Sequence, residues 1–464
     1  MTVNPADSAI FGPLFGSASM RALFSDECRL QAMLDVEAAL ARVQARLGII
    51  PKTAAAAITK AARADTMPID EIARGTALAG VPVAALAKAL GREAGAEGAA
   101  YVHWGATTQD IVDTALVLQL RAGLALIERD LTAIGNALAA QARKHRGQVM
   151  AGRTYLQQAL PVTFGYKCAI WLAPLAAHRT RLAALKQRLL VVQFGGAVGT
   201  LASLKDRGRA VTEGLARELG LGVAAAPWQA NRETMAEAAA VLGLLCGSLA
   251  KFATDIVLLS QTEIAEVFEP QAEGRGGSST LPQKQNPISS AYVLACARGV
   301  QALVPLMFNA IAGDHERSTG AWQSEPLALP QIFVLTSGAL QHALAVAKGM
   351  TIDAARMRRN LDAAHGLIMS EAVMMELAAK AGRGAAKELV EKAVRKALAG
   401  KHSFRETLEE DKAVRAQLDK RLIARLTDPA HYLGEAQQVV DRVVGAWRSA
   451  KPARATQSRK SRHK

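Results

Sequence analysis

Apolar residues recur every three or four positions through most of the middle of this 464-residue chain. The pattern is present in Leu175–Val192 and in the segments near 288–312 and 325–349. Two runs keep it without interruption: Leu116, Leu120, Leu124, Ile127, Leu131, Ile134, Leu138, and then Met235, Ala238, Leu242, Leu245, Leu249, Phe252, Ile256, Leu259. Such spacing aligns side chains along one helix face and predicts long helices that pack through coiled-coil-like seams. The sequence therefore predicts an all-α protein with a central bundle of five long helices.

Shorter helical patterns flank this bundle. Ser25 and Asp26 precede an apolar repeat that ends at Gly48, which are typical start and stop signals of a helix. Thr351–Asp353 has the composition of another helix start. We predict three helical domains and a tail: an N-terminal helical domain over 1–105, the central bundle over 106–350, a C-terminal helical domain over 351–447 and a disordered basic tail over 448–464.

The net charge of +15 is unevenly distributed. Seven lysines and arginines and no acidic residue fall within 448–464, which leaves +8 on the rest of the chain. A positive body favours the approach of a small polyanionic substrate. The tail is interpreted mainly as a solubilising extension, and a contact with nucleic acid or another acidic surface is the alternative.

Several classes of protein are disfavoured by the sequence. The start of the chain lacks the basic and apolar regions of a signal peptide, and no apolar run approaches a membrane span, so we expect a cytoplasmic protein without a membrane partner. The four cysteines are widely spaced. The nine histidines show no metal-binding spacing, and neither a Walker loop nor a G-x-S-x-G motif is present, so no metal or other cofactor is expected.

One loop between two predicted helical segments combines glycines with several polar side chains that are candidates for catalysis. It reads GRGGSSTLPQKQNP from Gly274 to Pro287. Its glycines permit close approach of the backbone to a ligand, and consecutive N–H groups can form an anion-binding nest. Ser278, Lys284 and Asn286 add a proton-transfer group, a point charge and an amide donor. The set suits a carboxylate substrate whose transition state gathers negative charge.

A second polar segment lies at the predicted start of a long helix. It reads HWGATTQDIVDT from His103 to Thr114. Thr107, Thr108 and Gln109 are candidates to hold a carboxylate through their side chains and the helix N-terminus. The alternative is a structural helix cap in which Asp110 complements the helix dipole.

The GSSTLPQKQNP stretch resembles the GSS-x-M-P-x-K-x-N-P signature of the fumarase/aspartase superfamily, with Leu281 in place of methionine. The resemblance implies a homotetramer whose central helices pack together and whose sites are shared among subunits. It also implies that Ser278 transfers the proton, with Ser279 as the less favoured alternative. Lys284 and Asn286 would then stabilise the negative intermediate.

The segment GRTYLQQALP, which starts at Gly152, resembles the T-H-x-Q-x-A-x-P segment of the same superfamily. Thr154 and Gln157 fit, but Tyr155 stands where many of the lyases have a histidine that acts as general acid. A leaving amine or alkoxide needs such a proton donor. A leaving carboxylate, with a pKa near ~4, needs none. The departure therefore favours lactone chemistry over a histidine-dependent lyase.

A further stretch, DHERSTGAWQSE from Asp314 to Glu325, resembles the lactone-forming cycloisomerases of this superfamily. Arg153, Arg275 and Arg317 are candidate clamps for the carboxylates of a tricarboxylate muconate. His315 is either an orienting or a structural residue. The resemblance implies a cycloisomerase. The alternatives are an adenylosuccinate-lyase-like C–N or C–O lyase, for which His103 is the nearest substitute acid, and a non-enzymatic protein that binds nucleic acid through its tail.

Overall fold

The computed structural model describes residues 3–270, 276–277, 280–281, 283–400 and 402–449. Short helices come first: α1 (Gly12–Phe15), α2 (Ala18–Leu23), α3 (Asp26–Arg46), α4 (Lys52–Ala61), α5 (Ile69–Ala79) and α6 (Val83–Ala99). Ser25 caps α3 by accepting a hydrogen bond from the amide of Cys28, as its sequence predicts.

The long helices follow, interrupted by short strands. In chain order these elements are α7 (Thr108–Lys144), β1 (Val149–Thr154), β2 (Gln157–Thr163), α8 (Phe164–Leu189), β3 (Val191–Val192), α9 (Gly208–Leu219), β4 (Gly222–Val223), α10 (Glu233–Leu259), β5 (Val267–Phe268), α11 (Ile288–Asn309) and α12 (Ala321–Gly349). Helices α7, α8, α10, α11 and α12 are the five predicted long helices, so the predicted all-α class is confirmed.

Short elements close the chain. They are β6 (Thr351–Ile352), α13 (Ala354–Asp362), α14 (Ser370–Ala381), α15 (Arg383–Ala399), α16 (Phe404–Glu410), α17 (Lys412–Gln417), α18 (Lys420–Leu426) and α19 (Ala436–Ser449). Helix α19 extends two residues into the predicted tail, and residues 450–464 lie outside the described part of the chain. The strands form two-stranded pairs, namely antiparallel β1–β2, parallel β3–β4 and antiparallel β5–β6.

The chain divides into two compact units, each assembled from three stretches. The first unit comprises Met1–Leu131, His178–Ala250 and Tyr292–His342, and the second comprises Thr132–Ala177, Lys251–Ala291 and Ala343–Lys464. This division differs from the three predicted domains, whose boundaries remain a prediction.

In the first unit, small residues let the long helices approach one another. A Cβ atom at Gly123 of α7 would lie 2.7 Å from the Phe333 ring of α12, and one at Gly299 of α11 would lie 2.9 Å from Leu335. The unit has an apolar core around α3, α4 and α6, and a second one where α3 meets α9. Burial of these apolar faces is the main stabilising contribution to the fold.

In the second unit, aromatic residues occupy the positions between helices. The ring of Trp171 on α8 packs edge-on against Phe252 of α10, with 5.1 Å between ring centroids. Trp447 of α19 covers Gly135 of α7 so closely that no side chain fits there. A separate apolar cluster joins α14 to α18.

Three helices are apolar along most of their length. By length and composition alone, α10, α11 and α12 are long and apolar enough to cross a membrane. The sequence-based expectation concerned uninterrupted apolar runs, whereas these helices reach their apolar character as averages over a window that includes polar residues. Within the chain, 50%, 28% and 61% of their most apolar windows are buried, so α11 has the smallest buried share of the three.

Candidate functional site

The glycine-rich turn Gly195–Gly199 is the centre of the polar site in the first unit. Its Gly195 and Gly196 amides donate hydrogen bonds of 2.8 and 2.9 Å to the carboxylate of Asp110 on α7. Gly196 and Gly199 adopt positive φ angles of 66° and 94°, a region that glycine enters without strain. Sequence inspection missed this turn, although its GGAVG composition was a usable signal.

Asp110 anchors the start of α7 against this turn. Its carboxylate also accepts a hydrogen bond from the Thr107 amide at 3.0 Å and from the side-chain amide of Gln193 at 3.2 Å. Burial raises the pKa of Asp110, although the hydrogen bonds from Thr107, Gly195 and Gly196 counteract that rise. The structural-cap interpretation of Asp110 is therefore correct in its essentials, and the cap reaches well beyond its own helix.

Arg317 lies against the same turn and carries an uncompensated charge. Its Nη1 donates to Gln109 Oε1 at 3.0 Å and its Nη2 donates to the Ala197 carbonyl at 2.8 Å. Among the described residues, no carboxylate lies within ion-pair distance of this guanidinium. Two neutral oxygens thus fix the orientation of a cation that remains available to an anion.

Gln109 does not serve as the direct carboxylate ligand that the sequence suggests. It is completely buried, and while its Oε1 accepts from Arg317, its Nε2 donates to the Gln229 carbonyl at 2.9 Å. The Gln229 side chain in turn donates to the Glu316 carbonyl at 3.1 Å. Thr107 and Thr108 are half-buried at the start of α7, so they remain the candidate anion contacts beside Arg317.

Behind this surface lies a fully buried ion triad. Arg232 donates to Asp113 of α7 at 2.7 Å and to Glu325 of α12 at 2.7 Å, and Trp322 donates its indole N–H to Asp113. Burial lowers the pKa of Arg232, but the two carboxylates outweigh burial and raise it overall. Asp113 and Glu325 fall within motifs recognised in the sequence. Arg232 was not predicted, because no local sequence pattern marks it.

A cavity of about 610 Å³ in the first unit adjoins this triad. Its lining is mostly apolar side chains of α3, α5, α7 and α12, and it includes the carboxylates of Asp26, Asp113 and Glu325. The lining contains one arginine, Arg29, and is otherwise mostly apolar, which is poorly suited to a tricarboxylate, so the cavity is not the candidate substrate site.

In the second unit, the β1–β2 hairpin presents an exposed and strained tip. Tyr155 and Leu156 connect the strands, and their side chains are 97% and 77% exposed. Their φ angles of 50° and 64° correspond to a turn that normally contains glycine or asparagine. Thr154 and Gln157 pair at the base of this tip and are also exposed.

Arg153 anchors the same hairpin through an ion pair. Its two terminal nitrogens donate to both oxygens of Glu266 at 2.9 and 2.7 Å. The Glu266 side chain is fully buried and also accepts a hydrogen bond from Asn360 of α13 at 2.8 Å. The charge of Arg153 is thus neutralised within the protein, and its predicted role as a carboxylate clamp, which remains untested, would require Glu266 to be displaced.

The signature loop is partly described. Ser278, Ser279 and Arg275, three of its predicted functional residues, lie outside the described residues. Lys284 is exposed and Asn286 is half-buried. The backbone N–H of Asn286 donates to the Gly276 carbonyl at 2.8 Å. Buried Glu269 accepts hydrogen bonds from the Ser289 and Ser290 amides, which fixes the helix that follows the loop.

The structure brings together only part of the predicted site. Thr107, Thr108 and Arg317 lie close together in the first unit, whereas Arg153, Thr154, Tyr155, Gln157, Lys284 and Asn286 belong to the second. Within the second unit, no hydrogen bond or ion pair links Lys284 to the described residues of the hairpin.

Comparison with family models matches residues 16–302 to the model described as "Lyase" and residues 366–443 to the one described as "Adenylosuccinate lyase C-terminus". The chain belongs to the lyase family. This family assignment confirms the fumarase/aspartase resemblance of the signature loop.

Individual relatives agree with this placement. The chain is 49% identical over 447 residues to a 3-carboxy-cis,cis-muconate cycloisomerase of Pseudomonas aeruginosa, with 96% of this chain and 97% of the relative covered. It superposes on the crystal structure of the 3-carboxy-cis,cis-muconate lactonizing enzyme from Pseudomonas putida with a TM-score of 0.91 and 46% identity, covering 96% and 100% of the two chains. It is also 42% identical to trans-aconitate decarboxylase 1 of Mycosarcoma maydis, with 96% and 90% coverage.

Proposed function

We propose that this lyase-family member converts 3-carboxy-cis,cis-muconate to 4-carboxymuconolactone in protocatechuate (β-ketoadipate) degradation. The observation that carries the proposal is the similarity to cycloisomerases over almost the whole chain. The Arg317 guanidinium, which neutral acceptors hold beside the start of α7, supports it. Such a cation suits one carboxylate of a trianion.

The reaction is an intramolecular addition. An oxygen of one substrate carboxylate bonds to a carbon of the conjugated diene and closes the lactone, and a proton is delivered to the carbon next to another carboxylate. The trianion becomes a dianion, so one proton is taken up from solvent through the protein and no other atom is gained or lost. Because both reacting groups belong to one molecule, holding the substrate in the correct conformation supplies much of the rate enhancement.

Negative charge accumulates on the carboxylate next to the protonated carbon. In the proposed mechanism Lys284 and Asn286 stabilise this enediolate-like intermediate, and Ser278 donates the proton. In the reverse direction the leaving group is a carboxylate, which needs no protonation at neutral pH. The exposed Tyr155 is consistent with this reaction, because it displays an aromatic side chain where a histidine-dependent lyase needs its acid.

We further propose that the enzyme is a cytoplasmic homotetramer with sites formed by several subunits. Only 28% of the most apolar window of α11 is buried within the chain, so contact with other copies would remove a large apolar surface from water.

A second candidate function follows from particular matches. The model of the adenylosuccinate lyase C-terminus matches 366–443, and a relative that is 42% identical is named a trans-aconitate decarboxylase. Adenylosuccinate and trans-aconitate are therefore the two substrates to compare with 3-carboxy-cis,cis-muconate. All three are polycarboxylates, so Arg317 does not discriminate among them.

The test measures loss of the ultraviolet diene absorbance of 3-carboxy-cis,cis-muconate, with trans-aconitate and adenylosuccinate assayed in parallel. We expect rapid loss with the wild type and a much slower loss with Ser278→Ala. Equal rates in both would assign proton transfer to another residue. No reaction of the muconate, together with turnover of either alternative substrate, would overturn the proposed function.

A further inference from the structure

Glu37 and His103 form a close pair beside the start of α7. Glu37 on α3 is 2% exposed, and its Oε1 lies 2.6 Å from His103 Nδ1. Among the described residues, Glu37 forms an ion pair only with His103. A buried carboxylate is tolerated as an ion when a cation neutralises it. This contact therefore favours a protonated imidazole whose Nδ1–H is committed to Glu37.

The imidazole remains accessible on its other side, since 23% of the His103 side chain is exposed. Its backbone has a φ of 61°, a left-handed conformation that costs a non-glycine residue about 1 kcal/mol or more. Such strain at a charged, half-buried side chain indicates that the position of the ring matters.

The loop that carries His103 lies against the turn that holds Arg317. The Gly105 carbonyl is 3.5 Å from the place where a Cβ of Gly196 would lie, and the neighbouring Ala197 carbonyl accepts the hydrogen bond from Arg317. Two cationic side chains, one from each of two loops, thus flank the glycine-rich turn and the Thr107–Thr108 helix start.

We propose that His103 is a second carboxylate-binding residue of this site, donating its Nε2–H to a substrate carboxylate other than the one that Arg317 binds. Glu37 is a positioning residue that fixes the orientation and the charge of the imidazole. This inference rests on the proposed function and adds a contact to the same site. It gives the trianion two cations from the first unit instead of one.

The proposal has a definite pH dependence. Burial disfavours the charged imidazole, but the hydrogen bond and charge of Glu37, with a smaller contribution from Asp110, outweigh it and raise the pKa of His103 above 6.5. Glu37 and Asp110 are the charged groups that face it. The carboxylate contact is therefore complete below pH 6.5 and is lost as the pH rises through the raised pKa. In Glu37→Gln the carboxylate contact of His103 should be lost at a lower pH than in the wild type.

The experiment compares wild type, His103→Asn and Glu37→Gln, because asparagine tolerates the left-handed backbone. His365→Asn is the matched control, since His365 is also a histidine at positive φ, 50°, but lies in the second unit. We expect KM for the muconate to rise about tenfold in His103→Asn with a much smaller change in kcat, as for a lost binding contact. Glu37→Gln should move the alkaline loss of kcat/KM to lower pH. The control should match wild type.

Calorimetric binding of propane-1,2,3-tricarboxylate provides a readout that does not depend on turnover. His103→Asn should lose the same factor in affinity. Unchanged KM and affinity, a fall in kcat without a change in KM, or an unshifted pH profile in Glu37→Gln would each overturn the proposal. If the wild type does not convert the muconate, the proposed function fails, and the calorimetric comparison still decides whether His103 binds carboxylates.

Discussion

Arg317 and Arg153 have the same side chain and opposite electrostatic settings. Arg317 is held by an amide oxygen and a backbone carbonyl, so its charge remains available. Arg153 is held by both oxygens of the fully buried Glu266, so its charge is already balanced. The group that accepts the hydrogen bonds of an arginine thus decides whether its charge remains available to a ligand or is already neutralised. That group can lie far from the arginine in the sequence. Four experiments test this difference.

The largest effect is expected from Glu266→Gln. Removing the buried carboxylate leaves Arg153 without its counter-charge, and breaking a buried pair in this way costs about 3–5 kcal/mol. Thermal denaturation of the variant and wild type measures the loss. Glu263→Gln, at an exposed nearby position, is the control and should change little. A melting temperature equal to that of wild type would show that Arg153 is not an anchor.

Arg317→Met should leave the stability almost unchanged and lower kcat/KM about 100-fold, because a charged contact with the substrate is lost. Steady-state kinetics with the muconate provide the measurement. Arg121→Met is a matched control, since Arg121 also donates to neutral oxygens, the backbone carbonyls of Leu219 and Gly220. Similar losses in both variants would contradict a specific role of Arg317.

Gln109→Glu would give Arg317 a carboxylate partner, as Glu266 is for Arg153. The new carboxylate would lie about 3 Å from the guanidinium and neutralise it, so KM should rise about tenfold. Gln109→Met removes the hydrogen bond without adding charge and should have a smaller effect on KM. Equal KM values in the two variants would mean that orientation, and not charge, is what Gln109 controls.

The smallest effect concerns the tip of the hairpin that Arg153 anchors. Tyr155→Gly and Leu156→Gly each relieve a positive φ, and each should stabilise the protein by about 0.5 kcal/mol after the entropy cost of glycine. We expect Tyr155→Gly alone to lower kcat/KM, because Tyr155 is the predicted substrate contact. Chemical denaturation and steady-state kinetics of both variants separate strain from function. Equal activity in the two variants would remove Tyr155 from the site.

The sequence predicts the helical architecture well because periodicity is a local property. The start of α3 follows from its Ser25 cap, and the apolar spacing from Met235 to Leu259 falls within α10. The candidate site is less predictable, since its contacts join distant segments. Gln109 reaches Arg317 across 208 positions, and Arg153 reaches Glu266 across 113. No local pattern shows that one arginine meets a neutral oxygen and the other a buried carboxylate.

The apolar composition of three helices is also hard to see in a local pattern. No uninterrupted apolar run approaches a membrane span, whereas α10, α11 and α12 reach membrane-like hydropathy as averages that tolerate isolated polar residues. Alanine-rich helices that pack on several sides have that composition whatever they pack against.

The Arg232 triad has a consequence for how this sequence can change over evolutionary time. Asp113, Arg232 and Glu325 come from three separate stretches of the chain, and Arg232 is the one cation between the two carboxylates of this buried triad. Replacing Arg232 alone leaves two carboxylates stranded in the interior, whereas apolar replacement of all three leaves no charge there. These three positions should therefore covary in an alignment of relatives, and chimaeras that exchange only one of the stretches should fold only when the parents agree at all three.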